Sequence, residues 1–131
     1  MKTVEFEKPA NLAALYLGAL LSARKRPGVV ETLPGVTYVQ SQVVLESAHI
    51  ANYARVCGFN EAHGVPLTYP QMLTFPLVMA FFGSADCPWP ALGTVHLANR
   101  IEQRQRLSPG DALRVEVSTG TLLAHEKGQA F

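Results

Sequence analysis

Charged residues are scarce in this chain of 131 residues, at 16%, while hydrophobic residues make up 48%. The 11 Lys and Arg residues nearly balance the 10 Asp and Glu residues, which leaves a net charge of +1. That balance excludes a basic surface large enough to hold nucleic acid, and the apolar content excludes a disordered chain. We therefore expect a single folded domain over residues 1–131 that buries part of its apolar surface against a partner.

The sequence lacks the residue patterns of disulfide frameworks, metal sites, nucleotide-binding loops and serine hydrolases. Cys57 and Cys87 are too few for a disulfide framework and have no metal-ligating neighbour, so we expect reduced thiols, a cytoplasmic protein and no metal. There is no glycine-rich phosphate loop and no Gly-x-Ser-x-Gly motif, and we expect no cofactor. The apolar run at residues 12–23 is followed by Arg24-Lys25-Arg26, the wrong charge order for a signal peptide, and it is too short to cross a membrane.

The first half of the chain predicts two helices and a strand. Apolar residues at spacings of three and four over residues 12–23 predict a helix, opened by Pro9 and apolar on nearly every side, which we expect to be sandwiched. Residues 36–45 are rich in Val and predict a strand. Residues 47–57 predict a second helix, and Gly58 is placed to end it in the left-handed conformation.

The second half predicts a buried helix and several strands. The apolar residues 70–83 are long enough for a buried helix, which Pro76 would kink or shorten. Residues 94–106, 112–118 and 121 onward are strand candidates, and Ser-Pro-Gly-Asp at 108–111 predicts a turn between the first two. This order of elements predicts an α+β domain in which an antiparallel sheet wraps a central apolar helix.

The loop after Gly58 is the place where acid–base chemistry is expected. Asn60 and His63 lie three residues apart, and a histidine titrates close to neutral pH. Asn60 has the residue type to orient an imidazole or a water molecule. The alternative is that Asn60 caps a turn and His63 is an exposed loop histidine.

The segment YARVCGFNEAH resembles the hydratase motif of the MaoC-like dehydratases, which include the (R)-specific enoyl-CoA hydratases. That motif reads Tyr, a few residues, then Ser-Gly-Asp-x-Asn-Pro-Ile-His, and it places Tyr53, Asn60 and His63 on the family's tyrosine, asparagine and catalytic histidine. Gly58 falls where the family has its catalytic aspartate. The segment HLANRIEQRQRLSPGDALRVEV resembles the family's long strand, its turn and the next strand.

The resemblance implies a hot-dog fold and reversible hydration of 2-enoyl thioesters to (R)-3-hydroxyacyl thioesters in fatty-acid metabolism. It implies His63 as general base, Asn60 as its orienting partner, and backbone N–H groups around Gly64 that polarise the thioester carbonyl. Glu61 and Asp86 are the candidates to replace the missing acid. The residues expected to contact an acyl-CoA or acyl-carrier-protein substrate are Gly58, Gly64, Tyr53 and Trp89.

A second resemblance leads to a different role for the same loop. The segments VPLTYP, FPLVMAFF and LGTVHLANRI resemble the N-terminal half of double hot-dog dehydratases, a half that has lost its catalytic residues. On this view the chain is a fragment or the ordered part of a longer protein, and its loop is a non-catalytic relic. A hot-dog thioesterase and an acyl-binding scaffold are the remaining alternatives. We expect a homodimer or pairing with a second hot-dog domain, and no nucleic acid or membrane partner.

Overall fold

The computed structural model describes residues 1–8 and 10–131, so the expected role of Pro9 lies outside the described residues. Two short 3₁₀ turns, at Ser22–Arg24 and Glu61–His63, accompany the regular elements. The helices and strands in chain order are β1 (Lys2–Phe6), α1 (Leu12–Leu21), β2 (Val36–Val44), α2 (Ser47–Cys57), α3 (Tyr69–Gly83), β3 (Ala112–Ser118), β4 (Leu123–His125) and β5 (Gly128–Ala130).

The main sheet has the strand order β1-β2-β3. Strand β2 pairs antiparallel with β3 and parallel with β1, which adds a parallel edge to the sheet that the sequence did not predict. The register between β2 and β3 shifts between Gln40 and Val43, where Gln42 adopts a φ of 58°. Such a bulge bends the strand and increases its twist, so that the sheet can curve around the helix it covers. Strands β4 and β5 form a separate hairpin.

Helix α3 packs on this sheet through two clusters of buried side chains, one near each end of the helix. The cluster at its C-terminal half is built from Val36, Tyr38, Leu77, Phe81, Cys87 and Val115. The cluster at its N-terminal end is built from Leu45, Ile50 and Tyr69. Leu73 and Leu113 pack against both clusters and join them. This α+β arrangement, one apolar helix on an antiparallel-rich sheet, confirms the predicted class and is consistent with the hot-dog fold.

The helix boundaries that are set by a capping glycine or an opening proline were predicted to within one residue. Helix α2 spans the predicted residues and ends at Gly58, whose φ of 77° is the expected left-handed conformation. Helix α3 begins one residue before Pro70 and continues without a break through Pro76, so the expected shortening does not occur. Its C-terminus is held by Lys25, whose Nζ donates hydrogen bonds to the carbonyls of Phe82, Ser84 and Cys87 at 2.8, 2.7 and 2.7 Å.

Two sequence-based expectations are wrong. Residues 94–106 form no strand: in the described chain they pair neither with the open edge of β1 nor with that of β3. Helix α1 is not sandwiched: it packs on α3 with its Gly18–Ala19 side, and its outer leucines are half or more exposed. Strand β1 was not predicted, because its five residues KTVEF carry too little apolar character to stand out.

Candidate functional site

The candidate loop starts at the end of α2 with a well-formed helix cap. The N–H of Phe59 donates to the carbonyl of Ala54 at 2.8 Å, and the N–H of Gly58 donates to Arg55 at 3.4 Å. This pair of bonds is the Schellman arrangement, which favours glycine because its central residue has a positive φ. A Cβ added at Gly58 would meet no atom within 4 Å. Gly58 therefore has a purely conformational reason to be glycine, and space for a side chain remains beside it.

Asn60 and His63 lie together on the short turn that follows. The Oδ1 of Asn60 accepts a hydrogen bond from the N–H of Ala62 at 2.9 Å, and its carbonyl accepts from the N–H of His63 at 3.0 Å. Asn60 thus caps the 3₁₀ turn, which is the alternative role that the sequence offered for it. The side chain of His63 is exposed, and the described residues give it no ion pair. Gly64 closes the turn at a φ of 79°.

Neither of the two candidate replacement acids is paired with His63. Glu61 forms an ion pair with Arg55 at 3.4 Å across the cap of α2. Asp86 follows the far end of α3, where it accepts hydrogen bonds from the Nζ of Lys2 at 2.8 Å and from the Tyr38 hydroxyl at 3.1 Å. The hydrogen bond from Lys2 is the main reason that the pKa of Asp86 lies below its ordinary value.

The two ends of the loop are tied together by hydrogen bonds between α2 and the start of α3. The Tyr53 hydroxyl and Thr68 Oγ1 are 2.7 Å apart, and His49 Nδ1 lies 2.7 Å from the Tyr69 hydroxyl. The Tyr53 ring packs edge-on against Tyr69 and stacks on Phe59. Burial, followed by the negative charge of Glu46, raises the pKa of Tyr69. Sequence reasoning singled out Tyr53 but missed His49, although its spacing of four from Tyr53 puts both on one helix face.

Trp89 belongs to the other end of α3. It packs against the cluster around Phe81, and its ring stacks on Phe131 at a centroid distance of 5.0 Å. Phe131 also lines an apolar cavity of about 190 Å³ between α3 and the sheet. The structure therefore brings Tyr53, Gly58, Asn60, His63 and Gly64 together on one loop and its stem, whereas Trp89 lies in the opposite cluster.

A second cavity, of about 410 Å³, lies beside the first turns of α3. Its walls come from Leu67, Pro70, Gln71 and Thr74 on one side and from residues 100–105 and Leu107 on the other. Arg100 and Arg104 are among these residues, and each forms an ion pair with Glu102. Glu102 also lines this cavity, so both guanidinium groups have a carboxylate partner within it.

The part of the chain that the structure describes contains no group of His, Cys, Asp and Glu residues that could hold a metal ion. Within the same residues, no helix combines the length and the apolar character that crossing a membrane requires.

The chain is similar to a curated protein of Mycobacterium tuberculosis named 3-hydroxyacyl-thioester dehydratase X. The two are 37% identical over 120 residues, a match that covers 90% of this chain and 41% of that protein. The chain thus spans less than half the length of this relative. No family model matches the chain. No solved structure matches it either.

Proposed function

We propose that this chain is a hot-dog unit of a MaoC-like dehydratase that acts on 3-hydroxyacyl thioesters in fatty-acid metabolism. The observation that carries the proposal is the 37% identity to a 3-hydroxyacyl-thioester dehydratase. Because that match covers 90% of the chain, it includes the loop from Tyr53 to His63. The packing of an apolar α3 against an antiparallel-rich sheet supports the same proposal from an independent direction.

The proposed reaction is the reversible loss of water from an (R)-3-hydroxyacyl thioester. A base removes a proton from C2, and the C–H electron pair forms the C2=C3 double bond. The C3–O bond breaks as the hydroxyl takes that proton from the protonated base and leaves as water. His63 is the proposed base, and Asn60, which shapes the turn under it, orients the imidazole. Negative charge develops on the thioester oxygen, where the N–H groups around Gly64 would stabilise it.

The substrate is proposed to be an acyl-CoA or an acyl-carrier-protein thioester. Gly58, Gly64 and Tyr53 are the proposed contacts near the reacting atoms, and Trp89 is the proposed contact for the far part of an acyl chain. The cavity beside α3 that includes Arg100 and Arg104 is the proposed site for the phosphates of either carrier, which would replace Glu102 as the partner of the two guanidinium groups. Cys57 and Cys87 are both free thiols, which supports a reducing, cytoplasmic setting.

A second candidate is that the chain is the non-catalytic half of a double hot-dog dehydratase. Gly58 stands where an acid is needed, and neither Glu61 nor Asp86 is paired with His63, since each has a cationic partner elsewhere. The loss of one of two acid–base groups costs on the order of 10²-fold in rate or more. The catalytic pair would then be supplied by another hot-dog domain. A thioesterase is less well supported, because α3 carries no carboxylate.

Hydration of crotonyl-CoA and of a longer enoyl-CoA, followed as loss of enoyl absorbance, tests the proposal. In a working site, His63→Ala lowers kcat by on the order of 10²-fold or more, while His125→Ala on the β4–β5 hairpin retains full activity. Circular dichroism of each variant confirms that it is folded. Equal activity of the two histidine variants would contradict the role of His63.

Gly58→Asp distinguishes the two candidates. The position has open space, and Asp tolerates a positive φ better than most residues. If wild-type activity is absent and Gly58→Asp creates it, the loop is a relic that needs only its acid. If folded Gly58→Asp is also inactive, the chain is a scaffold whose chemistry is supplied by another domain.

A further inference from the structure

The loop that carries Asn60 and His63 is anchored almost entirely through its two stems. Its internal hydrogen bonds, from Ala62 to Asn60 and from Gly64 to Glu61, are local and shape the turn without attaching it to the rest of the protein. Attachment comes from the ion pair of Glu61 with Arg55 on α2, from Phe59, stacked on Tyr53, and from Val65, which packs against the cluster that contains Tyr69. The position of His63 therefore depends on how α2 meets the start of α3.

We infer that His49, Tyr53, Thr68 and Tyr69 form a clasp that positions the Asn60–His63 turn, and that Thr68 is a positioning residue for the proposed reaction. The clasp consists of the bonds between Tyr53 and Thr68 and between His49 and Tyr69, both at 2.7 Å. His49 and Tyr53 are one helical turn apart, and Thr68 and Tyr69 are consecutive, so two residues of one stem bind two residues of the other. This inference rests on the proposed function.

The polar nature of the clasp gives it a definite geometry. Tyr69 is only 1% exposed and packs edge-on against Tyr53 at a centroid distance of 5.4 Å, so the rings fix the spacing of the stems. Packing alone tolerates sliding of the stems, whereas a hydrogen bond between hydroxyl groups weakens steeply when distance or angle changes. The Tyr53–Thr68 bond therefore fixes the register of the loop ends and, through Phe59, the direction in which the turn leaves α2.

Hydrogen exchange of the loop tests the clasp without requiring activity. Thr68→Val keeps the shape of the side chain but removes the hydroxyl, and it should raise amide exchange in residues 59–65 by roughly 3- to 10-fold, because one hydrogen bond no longer opposes opening. Thr68→Ser keeps the hydroxyl and should restore wild-type exchange. Thr94→Val is the matched control, since the Thr94 hydroxyl donates to the carbonyl of Pro90, outside the clasp and the loop.

Two further measurements, the kinetic constants and the NMR signals of the His63 ring, distinguish a positioning role of Thr68 from a general loss of stability. Where the enzyme is active, Thr68→Val should lower kcat by about 10-fold with KM nearly unchanged and should shift the NMR signals of the His63 ring, with both effects reversed in Thr68→Ser. If Thr68→Val does not fold, Tyr53→Phe removes the same bond from the other side and should give the same faster loop exchange and the same shift of the His63 ring signals.

The outcomes separate this inference from the proposed function. Faster loop exchange in a chain without hydratase activity supports the clasp and contradicts catalysis by this chain. Unchanged loop exchange and an unshifted His63 signal in Thr68→Val overturn the clasp, whether or not the chain is active.

Discussion

Asp86 joins two parts of the molecule that are far apart in sequence. Its side chain is 16% exposed and accepts two hydrogen bonds from the Nζ of Lys2 at the start of β1, as well as one from Tyr38. The ammonium group of Lys2 lowers the pKa of this carboxyl below 3.8. A group whose pKa is lower in the folded state stabilises that state when ionised, so its contribution is lost as the pH falls.

We predict that Asp86→Asn makes the protein less stable at neutral pH but less sensitive to acid. The wild-type free energy of unfolding should fall more steeply than that of the variant between about pH 5 and pH 2, until the two curves converge. Urea unfolding at a series of pH values measures both curves. Lys2→Met should flatten the wild-type curve in the same way, and adding it to Asp86→Asn should change the curve little. Parallel curves for wild type and Asp86→Asn would show that the pair does not stabilise the fold.

Single residues were predictable where their role is set by neighbours along the chain. Gly58 is an example, because a left-handed cap depends on the helix that it ends. Lys25 is the opposite example: within Arg24-Lys25-Arg26 nothing distinguishes it, yet it alone binds three carbonyls at the end of α3, 57 to 62 residues away. The hydrogen bond between His49 and Tyr69 in the clasp was missed for the same reason, since the two residues come from different helices.

At the scale of elements, the contact between α1 and α3 depends on two glycines. A Cβ added at Gly83 would lie 3.2 and 3.3 Å from the backbone C and Cα of Gly18. A Cβ added at Gly18 would lie 3.6 Å from the Cα of Gly83, an ordinary contact. The two positions therefore face each other, but only a methyl group at Gly83 would lie closer than ordinary van der Waals contact.

We predict opposite effects for alanine at these two glycines. Gly83→Ala should destabilise the protein by about 1–3 kcal/mol, because helix backbones must separate to admit the methyl group. Gly18→Ala should leave stability unchanged or raise it by up to about 1 kcal/mol, because alanine favours the helical conformation. Chemical unfolding of the two variants measures the difference. Equal shifts in both variants would contradict the close approach of α1 and α3.

The elements that the sequence predicted correctly are those with strong internal signals. Helices α2 and α3 have apolar residues in helical spacing, a capping glycine or an opening proline, and few competing patterns. Residues 94–106 have a strand-like composition, but a strand exists only when another edge completes its hydrogen bonds. That information is not local, and in the described chain residues 94–106 pair with neither open edge of the main sheet. The prediction that α1 is covered on both sides was wrong for a similar reason. The apolar residues of a helix do not specify how many neighbouring elements will cover it.

At the scale of the whole molecule, apolar side chains are concentrated on the outer side of α1. Leu17 is 58% exposed and Leu20 is 64% exposed, and Leu12 and Tyr16 are also more than half exposed. An exposed cluster of this kind marks an interaction site more often than a free surface. It agrees with the apolar excess of the composition and with the proposal that the chain pairs with a second copy or a second hot-dog domain.

We predict that the chain associates through this outer side of α1. Light scattering on the eluting protein should give roughly twice 14.2 kDa for wild type. In Leu17→Glu/Leu20→Glu the mass should fall to that of one chain, because two carboxylates in the contact would each lose hydration without gaining a partner. Val56→Glu is the control, since Val56 is exposed on α2, and it should leave the wild-type mass unchanged. A wild-type chain that stays at 14.2 kDa at high concentration would contradict self-association and leave pairing with a separate domain as the way in which α1 is covered.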